Sequence, residues 1–135
     1  MIFLDANVVL RYLIQDDVAM AEKAEEYILS DGAFVTSEVI AEVVYVLKKV
    51  YLIERDKISQ QLIKFVNFVK VSEPEVIIFA LETFGKTNLD FVDSILFAYH
   101  KLLGFGIATF DKQLIKLMSR ADNGEDFNAS RNNLH

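Results

Sequence analysis

Four acidic residues from distant parts of the chain are the strongest candidates for chemistry: Asp5, Glu42, Asp93 and Asp111. Asp5 closes a predicted strand and Asp111 lies two residues after another, so both should lie over the carboxyl edge of a parallel sheet, where functional groups gather. Glu42 and Asp93 lie on predicted helices that start or end at the same edge. The spacing therefore predicts that four carboxylates converge on one pocket.

Carboxylates gathered in this way need a cation. Two of them ~5 Å apart repel by about 3 kcal/mol at an effective dielectric constant of 20, and without a cation some would be protonated. A hard divalent ion, Mg²⁺ or Mn²⁺, matches an all-oxygen ligand set. Such a site supports phosphodiester hydrolysis, because the metal lowers the pKa of a bound water and stabilises charge on the phosphorane.

Each of these acids also has an ordinary structural explanation. Asp5 and Asp111 could each cap the helix that follows. Asp90 and Asp93 could be acids favoured at a helix N-terminus, and for Asp90 this explanation is the preferred one. Glu42 is harder to explain in this way, since it stands among apolar neighbours and acids are rarely buried unless paired or bound to metal.

The composition limits the other kinds of site that the chain could hold. A length of 135 residues with 53% hydrophobic residues predicts one folded domain rather than a disordered chain. The absence of cysteine excludes disulfides and zinc–thiolate sites, and two histidines make a His-rich metal centre improbable. The net charge of −6 argues against a generally basic nucleic-acid-binding surface, although a local cleft could still bind nucleic acid.

No apolar run approaches the ~18 residues of a membrane span. The N-terminal segment also lacks the basic region of a signal peptide. These two features predict a cytoplasmic protein without a membrane partner.

Strands and helices alternate along the predicted chain. Strands are predicted at 1–4, 33–36, 68–71 and 106–109, with helices near 8–14, 16–30, 38–53, 56–68, 72–85, 88–103 and 112–118. Ser37 and Ser72 are predicted N-caps, and Pro74 falls in a first turn. This order predicts a parallel sheet with helical crossovers, in a three-layer α/β/α sandwich over residues 1–120. A polar, mobile tail is predicted over residues 121–135.

Four motifs surround the acids in chain order: Phe3–Leu10, Ser37–Glu42, Leu89–Leu96 and Ala108–Lys112. Together they resemble PIN-domain nucleases, specifically the VapC-like toxins of bacterial and archaeal toxin–antitoxin modules, over about residues 1–118. By this resemblance Asp5, Glu42, Asp93 and Asp111 match the acidic quartet that holds Mg²⁺ or Mn²⁺ and activates water to cut RNA. Asn7 and Thr109 match supporting polar positions, and Asp90 matches an acid often found beside the quartet.

The resemblance also implies partners. Proteins of this kind are typically homodimers, and a cognate antitoxin inhibits them by placing a segment in the active-site groove. Apolar residues around Val46, Val50, Tyr51 and Ile53 could serve either interface. Such domains commonly carry a further edge strand after the last helix; because this region is polar here, the strand could be absent or replaced by the tail.

Basic residues near the proposed site are candidate RNA contacts. Lys112, Lys116 and Arg120 recur every four residues on the last helix, where they could contact phosphate groups or form a solvated face. Arg11 could contact phosphate or pair with an acid. His100 has no partner in the sequence that suggests catalysis, and a surface or satisfied core position is the default.

The alternative function is a non-catalytic PIN-like interaction module whose acids only cap helices.

Overall fold

A computed structural model describes residues 1–125 of the chain. The strands in this range are β1 (Ile2–Phe3), β2 (Ala33–Val35) and β3 (Lys70–Val71). The helices in the same range are α1 (Ala6–Ile14), α2 (Val18–Leu29), α3 (Ser37–Lys49), α4 (Arg55–Val66), α5 (Pro74–Lys86), α6 (Phe91–Leu103) and α7 (Lys112–Asp122). None of these helices is both long enough and apolar enough to cross a membrane.

The predicted α/β class with a short parallel sheet is confirmed. The three strands lie in the order β1-β2-β3, and both pairings are parallel. Ile2 pairs with Ala33 and Val35 pairs with Val71. After each strand a helical crossover returns the chain to the amino-terminal end of the sheet, so that the next strand runs parallel to the previous one. Consequently α1 and α3, which follow β1 and β2, both begin at the carboxyl edge of the sheet.

Within the described residues the chain forms two compact units, residues 1–74 and the residues from 75 onward. The first contains the whole sheet and helices α1 to α4. Its helix α3 buries one apolar face, as the period of three and four residues predicts. The buried residues of that face are Ile40, Val43, Val44 and Leu47. The single domain expected over residues 1–120 stays a prediction.

The second unit is built on the packing of α6 against α7. Its core consists of Leu89, Phe97, Leu114, Leu117 and Met118. The ring of Phe79 on α5 extends this core, with its centroid 5.9 Å from that of Phe97. Helix α6 ends as predicted at Gly104, which adopts the left-handed conformation with φ of 73°.

The predicted strand over residues 106–109 is wrong. Residues 104–110 contain no regular secondary structure. A strand needs a neighbouring strand for its N–H and C=O groups, and the described part of the second unit contains no other strand. The β-prone sequence is therefore insufficient by itself, and Asp111 is positioned by the start of α7 instead of by a strand.

Two helix starts also differ from the predicted ones. The N-cap of α3 is Thr36, whose Oγ1 accepts a hydrogen bond from the Val39 N–H at 3.2 Å, and Ser37 is the first helical residue. Helix α5 begins at Pro74, so the proline lies in the first turn as expected. The hydroxyl of Ser72 instead accepts a hydrogen bond from the Ser37 N–H at 3.2 Å.

The C-terminal helix is longer than predicted. Helix α7 continues to Asp122, past the expected end at residue 118 and into the first residues of the predicted tail. Residues 126–135, which make up the rest of that tail, lie outside the described residues.

We predict that two neighbouring residues of α7 respond very differently to truncation. Leu114 is 0% exposed and Ile115 is 46% exposed. Leu114→Ala should lower the free energy of unfolding by about 2–5 kcal/mol, because it leaves a cavity in the core. Ile115→Ala should change it by no more than about 0.5 kcal/mol. Urea denaturation of both variants measures the difference, and equal losses would contradict the described packing of α7.

Candidate active site

Asp5 lies at the carboxyl end of β1, where the sequence predicts it. Its Oδ1 accepts a hydrogen bond from the Val8 N–H at 2.9 Å, so it is also the N-cap of α1. A carboxylate has two oxygens and up to four lone-pair sites, so a capping bond does not exhaust its capacity to bind a cation. Asn7 is exposed in the first turn of the same helix.

Glu42 is exposed, and the expectation of burial drawn from its apolar neighbours is wrong. The physical reason is helix geometry: successive residues point about 100° apart, so a residue between apolar neighbours can still face away from the core. Val43 and Val44 are buried while Glu42 is not. Glu42 nevertheless lies in the second turn of α3, which starts at the same sheet edge as α1.

Asp90 and Asp93 lie at the start of α6. Asp90 occupies the N-cap position, but within the described residues its carboxylate makes no capping hydrogen bond; its carbonyl oxygen accepts from the Ser94 N–H and hydroxyl at 2.8 and 2.9 Å. Asp93 is half-buried in the first turn. The helix N-terminal position preferred for Asp90 is therefore confirmed, whereas a capping bond from its side chain is not among the described contacts.

Asp111 is held at both of its ends by hydrogen bonds. Its Oδ1 accepts from the Leu114 N–H at 2.8 Å, which caps α7. Its own N–H donates to the Thr109 hydroxyl at 3.0 Å. Thr109, which the sequence predicted as a supporting residue, therefore fixes the backbone of the acid that follows it.

The acids of the second unit interact with one another. Burial raises the pKa of Asp93 above its usual value of 3.8, and the negative charges of Asp111 and Asp90 raise it further. Like charges disfavour ionisation of the group they surround, so this cluster carries an electrostatic penalty at neutral pH. A divalent cation would remove the penalty, and the oxygen-only donors are those that Mg²⁺ and Mn²⁺ prefer.

The four candidate ligands fall into two pairs, one in each compact unit. Asp93 and Asp111 are electrostatically coupled in the second unit, whereas Asp5 and Glu42 lie on helices that begin at one sheet edge in the first. Within residues 1–125, no group of three or more Asp, Glu or His side chains has the arrangement of a metal site. Convergence of all four carboxylates stays a prediction.

The candidate RNA-binding residues differ in their environments. Lys112 and Lys116 are exposed on α7. The Nε atom of Arg120 lies 3.9 Å from Oε2 of Glu125. Arg11 donates from Nη1 to Asp16 Oδ1 at 3.1 Å, while its buried Nε has no hydrogen-bond partner among the described residues. Arg11 also lines a groove of about 180 Å³ between α1 and α2.

Sequence reasoning left the partner of Arg11 open and did not name Asp16. The two residues are five apart, a spacing that no regular helix brings face to face. They meet because α1 ends at Ile14 and the next residue, Gln15, adopts the left-handed conformation with φ of 57° and turns the chain back.

We predict that capping and charge can be separated at Asp111. In the presence of EDTA, Asp111→Ala should lower the free energy of unfolding by about 1 kcal/mol, because α7 loses its cap. Asp111→Asn should stay close to wild type, since asparagine caps as well as aspartate does. Chemical denaturation measures both. Equal losses in the two variants would contradict a capping role for the Oδ1 atom.

We also predict that Asp93→Asn stabilises the metal-free protein slightly, because it removes a charge that burial and two neighbouring acids disfavour. Since the folded-state pKa of Asp93 is raised, the penalty is absent below its usual pKa of 3.8 and grows as the pH rises through the folded-state pKa. Thermal melts in EDTA at several pH values test this.

The matched control is Asp56→Asn, which removes an acid from the first turn of α4. It should lower stability slightly or leave it unchanged, because a first-turn acid interacts favourably with the helix dipole. A decrease in stability on Asp93→Asn at neutral pH would contradict the electrostatic account of the cluster.

Comparison with known proteins identifies the family. The model of the PIN domain matches residues 2–119, a range that contains all the candidate ligands described above. No match was found among curated proteins or among solved structures. Domains of this family are generally nucleases, and they typically use divalent metal ions. Since the matched range covers most of the sequence, the chain belongs to the PIN domain family.

Proposed function

We propose that this PIN domain is a metal-dependent endoribonuclease in which Asp5, Glu42, Asp93 and Asp111 hold Mg²⁺ or Mn²⁺. The observation that carries the proposal is the acidic cluster of the second unit, where Asp111 and Asp90 disfavour ionisation of Asp93. PIN domains typically use divalent metal ions, and such an ion would offset the repulsion among these carboxylates. When bound, the ion would supply an activated water and neutralise charge on the scissile phosphate.

The protein's own contribution is to hold the carboxylates in place before the ion binds. Asp5 and Asp111 each use Oδ1 to cap a helix, and Thr109 fixes the backbone of Asp111. A side chain that is already immobilised loses less conformational freedom on binding. Pre-organised ligands therefore favour binding and a fixed orientation of the attacked phosphate.

We propose that Lys112, Lys116 and Arg11 contact the phosphates of the RNA, with Asn7 and Asp90 supporting the site. Lys112 and Lys116 are exposed one turn apart on α7, directly after Asp111. Contacts with phosphate position a substrate without reading its sequence. For single-stranded RNA each such contact makes the slope of log affinity against log salt more negative by about 0.7, so Lys112→Gln should make that slope shallower by about this amount.

We further propose that the chain is the toxin of a toxin–antitoxin pair, cytoplasmic and homodimeric, inhibited by a cognate antitoxin protein. Exposed apolar side chains around the connection between α3 and α4 support a protein interface there. Val50 is 65% exposed and Leu52 is 79% exposed. Leu52 also has φ of 57°, an uncommon backbone conformation for leucine.

The second candidate function is a non-catalytic interaction module. It is favoured by the capping bonds of Asp5 and Asp111, which give two of the four acids a structural role, and by the exposure of Glu42. This candidate predicts that Mn²⁺ does not stabilise the protein and that no RNA is cleaved.

We predict that purified protein cleaves RNA in Mn²⁺ or Mg²⁺ and that EDTA abolishes the cleavage. Asp5→Asn, Glu42→Gln, Asp93→Asn and Asp111→Asn should each lower the rate by at least about 100-fold, since even an outer-shell partner of a metal ligand is worth 10–100-fold. The readout is the cleavage of a fluorescent RNA pool, with DNA of the same sequences as the substrate control.

The matched control variant is Asp17→Asn. Asp17 caps α2 through Oδ1 to the Met20 N–H at 3.1 Å, in the same way that Asp5 caps α1, but it is not a proposed ligand. It should retain wild-type cleavage and the Mn²⁺-induced rise in Tm that the ligand variants lose. If the wild-type protein shows no cleavage and Mn²⁺ does not stabilise it, the interaction module is favoured.

A further inference from the structure

His100 connects three parts of the second unit. Its Nδ1 lies 2.8 Å from the carbonyl oxygen of Phe105, just after α6, and its Nε2 lies 2.6 Å from Oδ1 of Asp122, the last residue of α7. The side chain is only 17% exposed. His100 is therefore a satisfied histidine, but its partners lie on separate elements instead of in one core.

Both partners of His100 accept hydrogen bonds and neither can donate one at neutral pH. A carbonyl oxygen and a carboxylate oxygen each require an N–H, and only the imidazolium carries an N–H on both ring nitrogens. A neutral ring would face one of these acceptors with a lone pair. The geometry therefore fits the doubly protonated form.

The electrostatic surroundings agree with this assignment. The hydrogen bond to the Phe105 carbonyl and then the bond to Asp122 raise the pKa of His100 above its usual value of 6.5, while burial and, less strongly, the positive charge of Lys101 lower it. The other charged groups at this end of α7, Arg120 and Glu125, lie 3.9 Å from each other.

The bonds of His100 hold the start of the connection between α6 and α7. The Gly104 N–H donates to the His100 carbonyl at 3.0 Å, and the ring of Phe105 stacks on that of Tyr99 with centroids 6.1 Å apart. Residues 104–110 have no regular secondary structure, and in the middle of this segment Ile107 packs against the core of the second unit. At the far end, Thr109 holds Asp111.

We propose that His100 is a positioning residue: its imidazolium holds the α6–α7 connection against the end of α7 and so positions Asp111, and loss of one ring proton releases the connection. The role assigned to Asp111 rests on the proposed function, whereas the contact between His100, Phe105 and Asp122 does not. The connection is held at acidic and neutral pH and is released as the pH rises through the folded-state pKa of His100.

The first experiment follows the ring and the connection directly in the metal-free protein. Long-range ¹H–¹⁵N NMR reports the protonation of His100, with His135→Gln removing the second histidine signal. Hydrogen exchange of residues 104–111, corrected for intrinsic rates, should become several-fold faster with the same pH midpoint as the ring. The proposal would be overturned if the His100 ring is neutral at pH 6, or if the exchange rates of residues 104–111 do not change as the ring titrates.

Two variants keep the test independent of folding defects. Asp122→Asn removes the negative partner of His100, so the pH midpoints of ring titration and of hydrogen exchange should both move to lower pH. Lys101→Gln removes a positive charge that lowers the pKa of His100, so both midpoints should move to higher pH. His100→Gln should abolish the pH dependence of exchange. Midpoints that do not move in the first two variants would overturn the proposal.

A second readout separates this proposal from the proposed function. A rise in pH can only remove protons that compete with the metal for carboxylate ligands, so Mn²⁺ affinity should otherwise stay constant or increase with pH. Release of the connection predicts weaker Mn²⁺ binding above the His100 midpoint in wild type, but not in His100→Gln. If Mn²⁺ does not bind at any pH while exchange still follows His100, the proposed function fails and the positioning contact stands.

Discussion

The first N–H groups of a helix need acceptors outside the helix, and much of this structure follows from that requirement. Aspartate supplies the acceptor at the start of α1, α2 and α7, and threonine supplies it at α3. Two of these aspartates, Asp5 and Asp111, are also proposed ligands. The same bond that starts a helix therefore fixes the direction of a carboxylate and places negative charge near the positive end of the helix dipole.

The acids of the candidate site differ in their effect on the stability of the metal-free protein. Asp5 and Asp111 stabilise the metal-free fold through their caps, whereas Asp93 is half-buried beside like charges and makes no capping bond among the described residues. A group whose surroundings disfavour its charged form is a candidate functional residue. Among the acids of the second unit, Asp93 is the one that structure alone explains least.

Local patterns in the sequence were sufficient to predict most helices and the parallel class of the sheet. The apolar period of α3, Pro74 in the first turn of α5 and Gly104 at the end of α6 all depend on neighbours within a few residues, and all are confirmed. The strand at 106–109 failed because a strand depends on a distant partner. Glu42 was misjudged because its neighbours in sequence are not its neighbours on the helix surface.

Contacts between distant residues were the least predictable part of the site. Arg11 meets Asp16 only because the helix ends between them, and His100 meets Asp122 across 22 residues of sequence. Neither pair leaves a pattern that periodicity can detect. The positions of Asp5, Asp90 and Asp111 at helix starts were predictable, while the coupling of Asp93 to Asp111 required the packing of α6 against α7.

The described sheet is complete by Val71, and each of its pairings joins residues about 30 to 40 positions apart in the first unit. Chains emerge from the ribosome N-terminus first, and compact units tend to fold in that order. All the strands described here are therefore available before α6 and α7 have been synthesised. If Asp93 and Asp111 are ligands, the nascent chain therefore acquires these two carboxylates only after every strand of the described sheet has been synthesised.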